Sequence, residues 1–149
     1  MIIRSESVER TRELGWVLGS LANAGIAVIL IGELGAGKTT FTQGLGAALG
    51  VREAVTSPTF VVAREHRGER EDLVHVDAYR VHSLQEWDDL DLDYESGVLV
   101  VEWGDRVLAA LPEDRLEVRF AIDDDARTLE FIARGPVSRA LLTAFEAAS

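Results

Sequence analysis

The residues of this sequence best suited to chemistry lie in the stretch GELGAGKTT, from Gly32 to Thr40. Within it stands Lys38, the only lysine among the fifteen lysine and arginine residues of the chain. Glycines let backbone N–H groups close around phosphate oxygens, and a helix beginning near Lys38 would add its positive N-terminal end. A lysine supplies a compact cation on a flexible stem, where a broad guanidinium would fit poorly. The stretch therefore predicts a phosphate-binding loop.

The spacing of Gly32 to Thr39 matches G-x-x-x-x-G-K-[ST], the P-loop pattern of nucleotide-binding proteins. The pattern follows the apolar run Ile26–Ile31, typical of a strand buried on both faces, and precedes helical spacing through Phe41–Leu49. Because the motif requires a strand before it and a helix after it, this context favours nucleotide binding over a chance match. The Thr39 hydroxyl is then placed to bind Mg²⁺.

Two acidic residues end apolar runs that resemble strands. Asp77 ends LVHV, and Glu102 ends VLVV. A Mg²⁺-nucleotide site usually adds one acidic residue at such a position, although acidic residues after strands are also common caps. Beside a P-loop, we expect at least one of the two to be functional. The single asparagine, Asn23, excludes the N-K-x-D motif that reads guanine, so adenine is the expected base.

Hydrophobic periodicity predicts the elements that hold these residues. It favours one α/β domain over residues 1–149, P-loop NTPase-like, with helices flanking a mixed sheet that is parallel in the centre and antiparallel at its hairpins. The predicted elements are a helix near Ser7–Leu21, a strand at Ile26–Ile31, a helix after the loop to Leu49, a hairpin of Phe60–Arg64 and Leu73–Asp77, a short helix from Ser83, a strand at Gly97–Trp103, a hairpin of Leu116–Ile122 and Arg127–Arg134, and a helix from Gly135 to Ser149.

Composition excludes several classes of function. The chain has no cysteine, which excludes thiol catalysis and zinc–thiolate sites. It shows neither a signal-peptide pattern nor an apolar run long enough for a membrane span, so a cytoplasmic protein without a membrane partner is expected. A net charge of −11 argues against direct, non-specific binding to nucleic acid and is compatible with a basic protein partner.

Four short motifs occur in order: GELGAGKTTF (Gly32–Phe41), SPTF (Ser57–Phe60), HVDAYR (His75–Arg80) and VEW (Val101–Trp103). Each of the last three is weak alone, because short strings of this kind are common. Together and in this order they resemble the TsaE family, the P-loop ATPases of bacterial tRNA threonylcarbamoyladenosine synthesis. The resemblance runs over nearly the whole chain.

The resemblance implies roles for the residues that match these motifs. Lys38, Asp77 and Glu102 would serve catalysis, with Asp77 matching an acidic residue needed for ATP hydrolysis. Thr39 and Glu102 would hold Mg²⁺, although which carboxylate binds the metal directly stays open. The matches to the family's phosphate loop are Gly35, Ala36, Gly37, Lys38, Thr39 and Thr40.

Further positions match the family more loosely. Trp103 matches a tryptophan beside the nucleotide, and Thr11 and Arg127 lie near the family's adenine-side or terminal contacts. The segment Ser57–Phe60 matches a switch-like segment. Glu33 stands where many members have aspartate, a conservative departure.

The resemblance also implies ATP and Mg²⁺ as cofactors and the TsaB–TsaD protein pair as partner, with tRNA reached only indirectly through that pair. Weak ATP hydrolysis, stimulated by the partners, is the expected activity. One alternative is a P-loop small-molecule kinase, which is disfavoured because no Arg-x-x-Arg lid follows the middle of the chain. Another is a nucleotide sensor without turnover.

Some single residues stay ambiguous from the sequence. His75 is either a sheet residue with an ordinary hydrogen bond or a member of the site. Arg80 is either surface packing or a partner of Asp77 or of a phosphate. Trp16 is expected in the core, and Trp87 either in the core or on a partner-binding surface.

Overall fold

The computed structural model of the protein describes residues 1–56, 62–93 and 95–149. No helix in these ranges is long and apolar enough to cross a membrane. The strands are β1 (Ile2–Ser5), β2 (Ala27–Ile31), β3 (Ala63–His66), β4 (Asp72–Asp77), β5 (Gly97–Glu102), β6 (Leu116–Asp123) and β7 (Ala126–Ala133). The α-helices are α1 (Val8–Leu21), α2 (Lys38–Leu49), α3 (Leu84–Asp89) and α4 (Pro136–Ala148).

The strands form one sheet in the order β1-β7-β6-β2-β5-β4-β3. Strand β2 lies at its centre and pairs in parallel with β5 and β6, and β4 is parallel to β5. Towards the edges the pairing is antiparallel, with β3 on β4, β7 on β6 and β1 on β7. The predicted mixed sheet, parallel in the centre and antiparallel at its hairpins, is confirmed.

A hydrophobic core covers each face of this sheet. Successive residues of β2 point to opposite faces, so Val28 and Leu30 pack on one side and Ala27 and Ile29 on the other. The first side is covered by α1, α2 and α4, through residues that include Leu14, Leu18, Phe41, Leu45, Leu141 and Phe145. The second side contains Val76, Trp87, Val101, Val107 and Leu111. Central strands buried on both faces explain the uninterrupted apolar runs in the sequence.

Helices α1 and α2 cross so closely that only glycine fits at positions 15, 19 and 44. A Cβ atom at Gly15 would lie 2.0 Å from the Phe41 carbonyl oxygen, and one at Gly44 would lie 1.9 Å from the Arg12 carbonyl oxygen. Both distances are far below van der Waals contact, so any side chain here would force the backbones apart. These glycines bring α1 directly against the helix that follows the phosphate loop.

Strand β1 was not predicted from the sequence. It is a short edge strand of four residues whose only buried member is Ser5. Its pairing partner β7 lies more than 120 residues further along the chain, as in the register Ile3 to Leu129. Such a strand shows no apolar alternation in the sequence, because it forms through backbone hydrogen bonds to β7 and not through burial of its side chains.

Three other expectations can be compared with the structure. The strand expected near residues 60–64 is found as β3, beginning at Ala63, while residues 57–61 lie outside the described ranges. Trp87 is 1% exposed and belongs to the core. The expectation that Trp16 belongs to the core is wrong, because its side chain is 51% exposed on α1. The close contact between α1 and α2 is made by glycines and backbone, which leaves the indole outside it.

Candidate functional site

The carboxyl ends of three parallel strands meet beside the phosphate loop. Strand β2 leads into the loop, while β4 ends at Asp77 and β5 ends at Glu102. In the sheet register Asp77 lies opposite Glu102, and Glu102 lies opposite Leu30 of β2. Ligand sites of parallel sheets form at this edge of the strands. Both predicted acidic residues are therefore carried to the loop by the sheet itself.

The loop between β2 and α2 depends on left-handed backbone at two glycines. Gly35 has φ of 80° and Gly37 has φ of 107°, and Gly37 is the residue that caps the start of α2. Residues with a Cβ rarely adopt these angles, whereas glycine does so readily. The first N–H groups of α2 consequently point into a cavity of about 550 Å³. The cavity is lined by Leu34, Gly35, Gly37, Lys38, Thr39, Thr40, Asp77, Tyr79, Arg80, Glu102 and Trp103.

The Lys38 ammonium is held at the edge of this cavity by the loop. Its Nζ donates hydrogen bonds to the carbonyl oxygens of Gly32, at 2.6 Å, and Glu33, at 2.8 Å. The same nitrogen lies 4.1 Å from the ring centroid of Trp103. Burial lowers the pKa of Lys38, an effect opposed by the negative charges of Glu102 and Asp77. The result is a partly desolvated cation at the edge of the cavity.

Glu102 is buried, with 3% of its surface exposed, and both of its carboxylate oxygens are engaged. Its Oε1 accepts a hydrogen bond from the Thr39 hydroxyl at 3.2 Å, and its Oε2 lies 2.5 Å from Nε2 of His75. Asp77 stands at the end of β4, and its Oδ1 accepts a hydrogen bond from the backbone N–H of Tyr79 at 3.0 Å. The Thr39 hydroxyl at the start of α2 and the Glu102 carboxylate at the end of β5 are therefore in direct contact.

These oxygens fit the preferences of Mg²⁺. The ion takes hard oxygen ligands and is usually bound by one or two protein groups, with phosphate and water completing its octahedron. Thr39 Oγ1 and Glu102 Oε1 supply two such oxygens side by side. Within the described residues no group of three or more His, Cys, Asp or Glu side chains is arranged to hold an ion. A metal shared with a nucleotide suits this donor set better than a closed protein cage.

Trp103 has an unusual backbone conformation directly after Glu102. Its φ and ψ of 62° and 33° lie in the left-handed region, which is uncommon for a bulky residue and costs on the order of 1–3 kcal/mol. Its N–H donates to the Leu30 carbonyl oxygen at 2.9 Å, and its ring lies 5.2 Å from that of Tyr79. The turn thus directs the indole over Lys38 instead of into the core.

The two loosely matched residues, Thr11 and Arg127, contact the phosphate loop but do not line the cavity. Thr11 is buried; its hydroxyl bonds to that of Ser5 at 2.8 Å, and its methyl group packs against Gly37. Arg127, at the start of β7, donates to the Gly35 carbonyl oxygen at 3.4 Å. Both residues support the loop from α1 and β7. Their predicted contacts with a nucleotide stay predictions, and the segment Ser57–Phe60 lies outside the described residues.

The sequence left the partner of His75 open, although a signal was present. Residues two apart in a strand share a face, so His75 points to the same side of β4 as Asp77. That face is the one covered by α2, which carries Thr39. Only the sheet register shows that the imidazole reaches Glu102 on the neighbouring strand.

The chain is similar to proteins of one family over most of its length. A family model described as threonylcarbamoyl adenosine biosynthesis protein TsaE matches residues 5–129. A Streptomyces coelicolor protein named tRNA threonylcarbamoyladenosine biosynthesis protein TsaE is 57% identical over 122 residues, which cover 77% of this chain and 82% of the relative. A Bacillus subtilis protein of the same name is 37% identical over 136 residues, covering 89% of this chain and 85% of the relative.

A solved structure shows the same fold. The crystal structure of YdiB from Bacillus subtilis superposes with a TM-score of 0.85 and 30% sequence identity. The match covers 99% of this chain and 95% of that protein. The P-loop between β2 and α2, the acidic strand ends beside it and these similarities lead to one conclusion: the chain belongs to the TsaE family.

Proposed function

We propose that this protein binds ATP with Mg²⁺ and hydrolyses it as an accessory ATPase in the formation of N6-threonylcarbamoyladenosine in tRNA. The observation that carries the proposal is the meeting of Lys38, Thr39 and Glu102 in one cavity at the end of β2. The names of its relatives, which refer to tRNA threonylcarbamoyladenosine biosynthesis, support the pathway.

The residues of the loop and of the two strand ends have separate roles in this proposal. The backbone N–H groups of Gly35 and of residues 37–40 bind the phosphate chain, and the Lys38 ammonium neutralises the charge of the β- and γ-phosphates. Thr39 and Glu102 would hold Mg²⁺, which neutralises charge that develops on the phosphate oxygens. Asp77 orients the attacking water from the end of β4. Ala36, buried beneath the loop, supports its backbone.

The nucleoside would extend from the phosphate loop towards Thr11 and Arg127, which contact the loop at Gly37 and Gly35. Trp103 and Arg80 line the cavity together with the two carboxylates, where the γ-phosphate would lie. This division assigns adenine-side binding to α1 and β7 and hydrolysis to β4 and β5.

A protein partner would complete the hydrolytic site. A phosphoryl transition state needs several positioned charges, and the chain offers Lys38, Arg80 and its two carboxylates. We propose the TsaB–TsaD pair as that partner, in the cytoplasm, with tRNA reached only through the pair. The net charge of −11 favours a basic protein surface over nucleic acid.

The test is phosphate release from ATP with and without the TsaB–TsaD pair. We expect slow turnover alone, stimulation by the pair, and loss of stimulated turnover in Glu102→Gln and Asp77→Asn. Glu65→Gln is the matched control, because Glu65 is an exposed acid on edge strand β3, away from the cavity. Rapid turnover by the isolated protein, unaffected by the pair, would contradict the proposal and favour a small-molecule kinase.

A further inference from the structure

His75 is a buried residue of the sheet whose one visible partner is a carboxylate of the site. The residue is 0% exposed in β4. Its Nε2 lies 2.5 Å from Glu102 Oε2 on the neighbouring strand β5. Packing alone does not account for a contact between this histidine and the acidic residue beside the phosphate loop.

The other ring nitrogen identifies the proton that makes this contact. Nδ1 of His75 is buried and has no hydrogen-bond partner in the described part of the chain. A proton on Nδ1 would therefore be desolvated without an acceptor, whereas a proton on Nε2 meets a carboxylate oxygen. This geometry favours the tautomer that carries its hydrogen on Nε2 and donates it to Glu102.

This donation determines how Glu102 presents its second oxygen. With Oε2 held by His75, Oε1 is directed to the Thr39 hydroxyl, 3.2 Å away. Thr39 and Glu102 are 63 residues apart in the sequence and lie on different elements. Their contact therefore depends on how the Glu102 side chain is oriented at the end of β5. Loss of a group that holds a metal-binding carboxylate in place typically lowers metal affinity by about 10- to 100-fold.

We propose that His75 is a positioning residue for Mg²⁺-dependent nucleotide hydrolysis. It donates from Nε2 to Oε2 of Glu102 and so keeps Oε1 facing Thr39 and the phosphate loop. The proposal rests on the function proposed above. It adds a residue whose contact is with the carboxylate and not with the nucleotide.

The chain contains a closely matched control in His66. This histidine is 1% exposed on β3, its Nδ1 lies 2.5 Å from Glu53 Oε1, and its Nε2 is buried without a hydrogen-bond partner among the described residues. It therefore shares residue type, burial and a glutamate partner with His75. The difference is that the side chain of Glu53 is 58% exposed and does not line the phosphate-loop cavity.

The first experiment reads the tautomer directly in the unmutated protein. Long-range ¹H–¹⁵N correlation spectra of ¹⁵N-labelled protein distinguish protonated from unprotonated ring nitrogens, and the chain has three histidines to assign. We expect His75 to carry its proton on Nε2 with Nδ1 unprotonated. A proton on Nδ1 alone would overturn the proposal, because Nε2 would then have no hydrogen to donate.

The second experiment compares His75→Leu, His75→Gln and His66→Leu. We measure the Mg²⁺ concentration that gives half-maximal ATP turnover, and the Mg²⁺-dependent change in tryptophan fluorescence with ADP bound. In His75→Leu both Mg²⁺ midpoints should rise by about 10- to 100-fold. In His75→Gln they should return towards wild type, since the amide N–H can reach the same oxygen. His66→Leu should leave them unchanged.

The outcomes separate this proposal from the proposed function. Unchanged Mg²⁺ midpoints in His75→Leu would overturn the positioning role. Midpoints in His75→Gln as high as those in His75→Leu would also overturn it, and would indicate that the imidazole ring serves packing only. If wild-type protein with its partners hydrolyses no ATP, the proposed function fails, while the tautomer and the fluorescence midpoints still test His75. If His75→Leu does not fold, the glutamine variant and the tautomer decide the matter.

Discussion

The chemistry expected of Lys38 follows from where its ammonium lies. The nitrogen is anchored by two loop carbonyls and lies over the Trp103 ring, so it is already oriented before a phosphate arrives. Lys38→Ala should weaken ATP binding by about 1.5–3 kcal/mol, the usual worth of a hydrogen bond to a charged group. The measurement is a titration with labelled ATP in Mg²⁺.

The control for this variant removes a positive charge elsewhere. Arg52→Ala is suitable, because the Arg52 side chain is 86% exposed and pairs with Glu69 outside the cavity. We expect it to bind ATP like wild type. Equal affinities for Lys38→Ala and wild type would contradict the assignment of the phosphate loop.

At the scale of elements, the contact between α1 and α2 determines where the phosphate loop lies. Gly44→Ala should destabilise the fold by about 1–3 kcal/mol, because the new methyl group meets the Arg12 carbonyl oxygen at 1.9 Å. Alanine favours a helix by about 1 kcal/mol over glycine, and the clash should outweigh this gain. Thermal or urea unfolding measures the difference.

Gly46→Ala is the matched control on the same helix. There the nearest atom to a new Cβ is a methyl group of Val55, at 3.1 Å, which can move by a few tenths of an ångström. The substitution should be close to neutral. If Gly44→Ala and Gly46→Ala had the same stability, the close approach of α1 and α2 would not explain the glycine at position 44.

A buried glutamate with three partly exposed arginine partners lies at one end of the hairpin of β6 and β7. Glu117, 1% exposed, accepts hydrogen bonds from the guanidinium groups of Arg115, Arg119 and Arg134. Burial, the largest single influence, raises the pKa of Glu117, but the hydrogen bonds from Arg134 and Arg115 outweigh it and hold the pKa below its ordinary value of 4.5.

This cluster predicts a pH-dependent stability. Because the pKa of Glu117 is lower in the folded than in the unfolded chain, its contribution is present above pH 4.5 and is lost as the pH falls through the folded value. Glu117→Gln should therefore cost about 1–3 kcal/mol at pH 7, and the difference from wild type should shrink below pH 4.5. Urea unfolding across pH 3–7 tests this, and a difference that grows with acid would refute it.

At the scale of the whole molecule, the net charge of −11 should affect the rate at which the protein binds its proposed partner. A charge of this size accelerates encounter with a basic surface, and salt screens it. The association rate with immobilised TsaB–TsaD should fall as ionic strength rises, while the dissociation rate changes less. The melting temperature of the free protein over the same salt range is the control. A salt-independent association rate would exclude electrostatic attraction to a basic surface.

Local pattern alone was enough to predict the phosphate loop, most of the strands and the two acidic strand ends. The loop is a contiguous stretch whose glycines, lysine and threonine act through their immediate backbone. Strands β2 and β5 are apolar runs because both of their faces are buried. Such features can be predicted from the sequence because each is marked by a pattern within a few consecutive residues.

The tertiary structure alone decided the features whose partners are distant in the sequence. Pairing of β1 with β7, the exposure of Trp16, and the contact of Glu102 with both Thr39 and His75 depend on which strands become neighbours. The left-handed turn at Trp103 likewise needs the neighbouring strand, whose carbonyl at Leu30 accepts its N–H. Periodicity shows which face a residue takes, but strand order and register determine what that face meets.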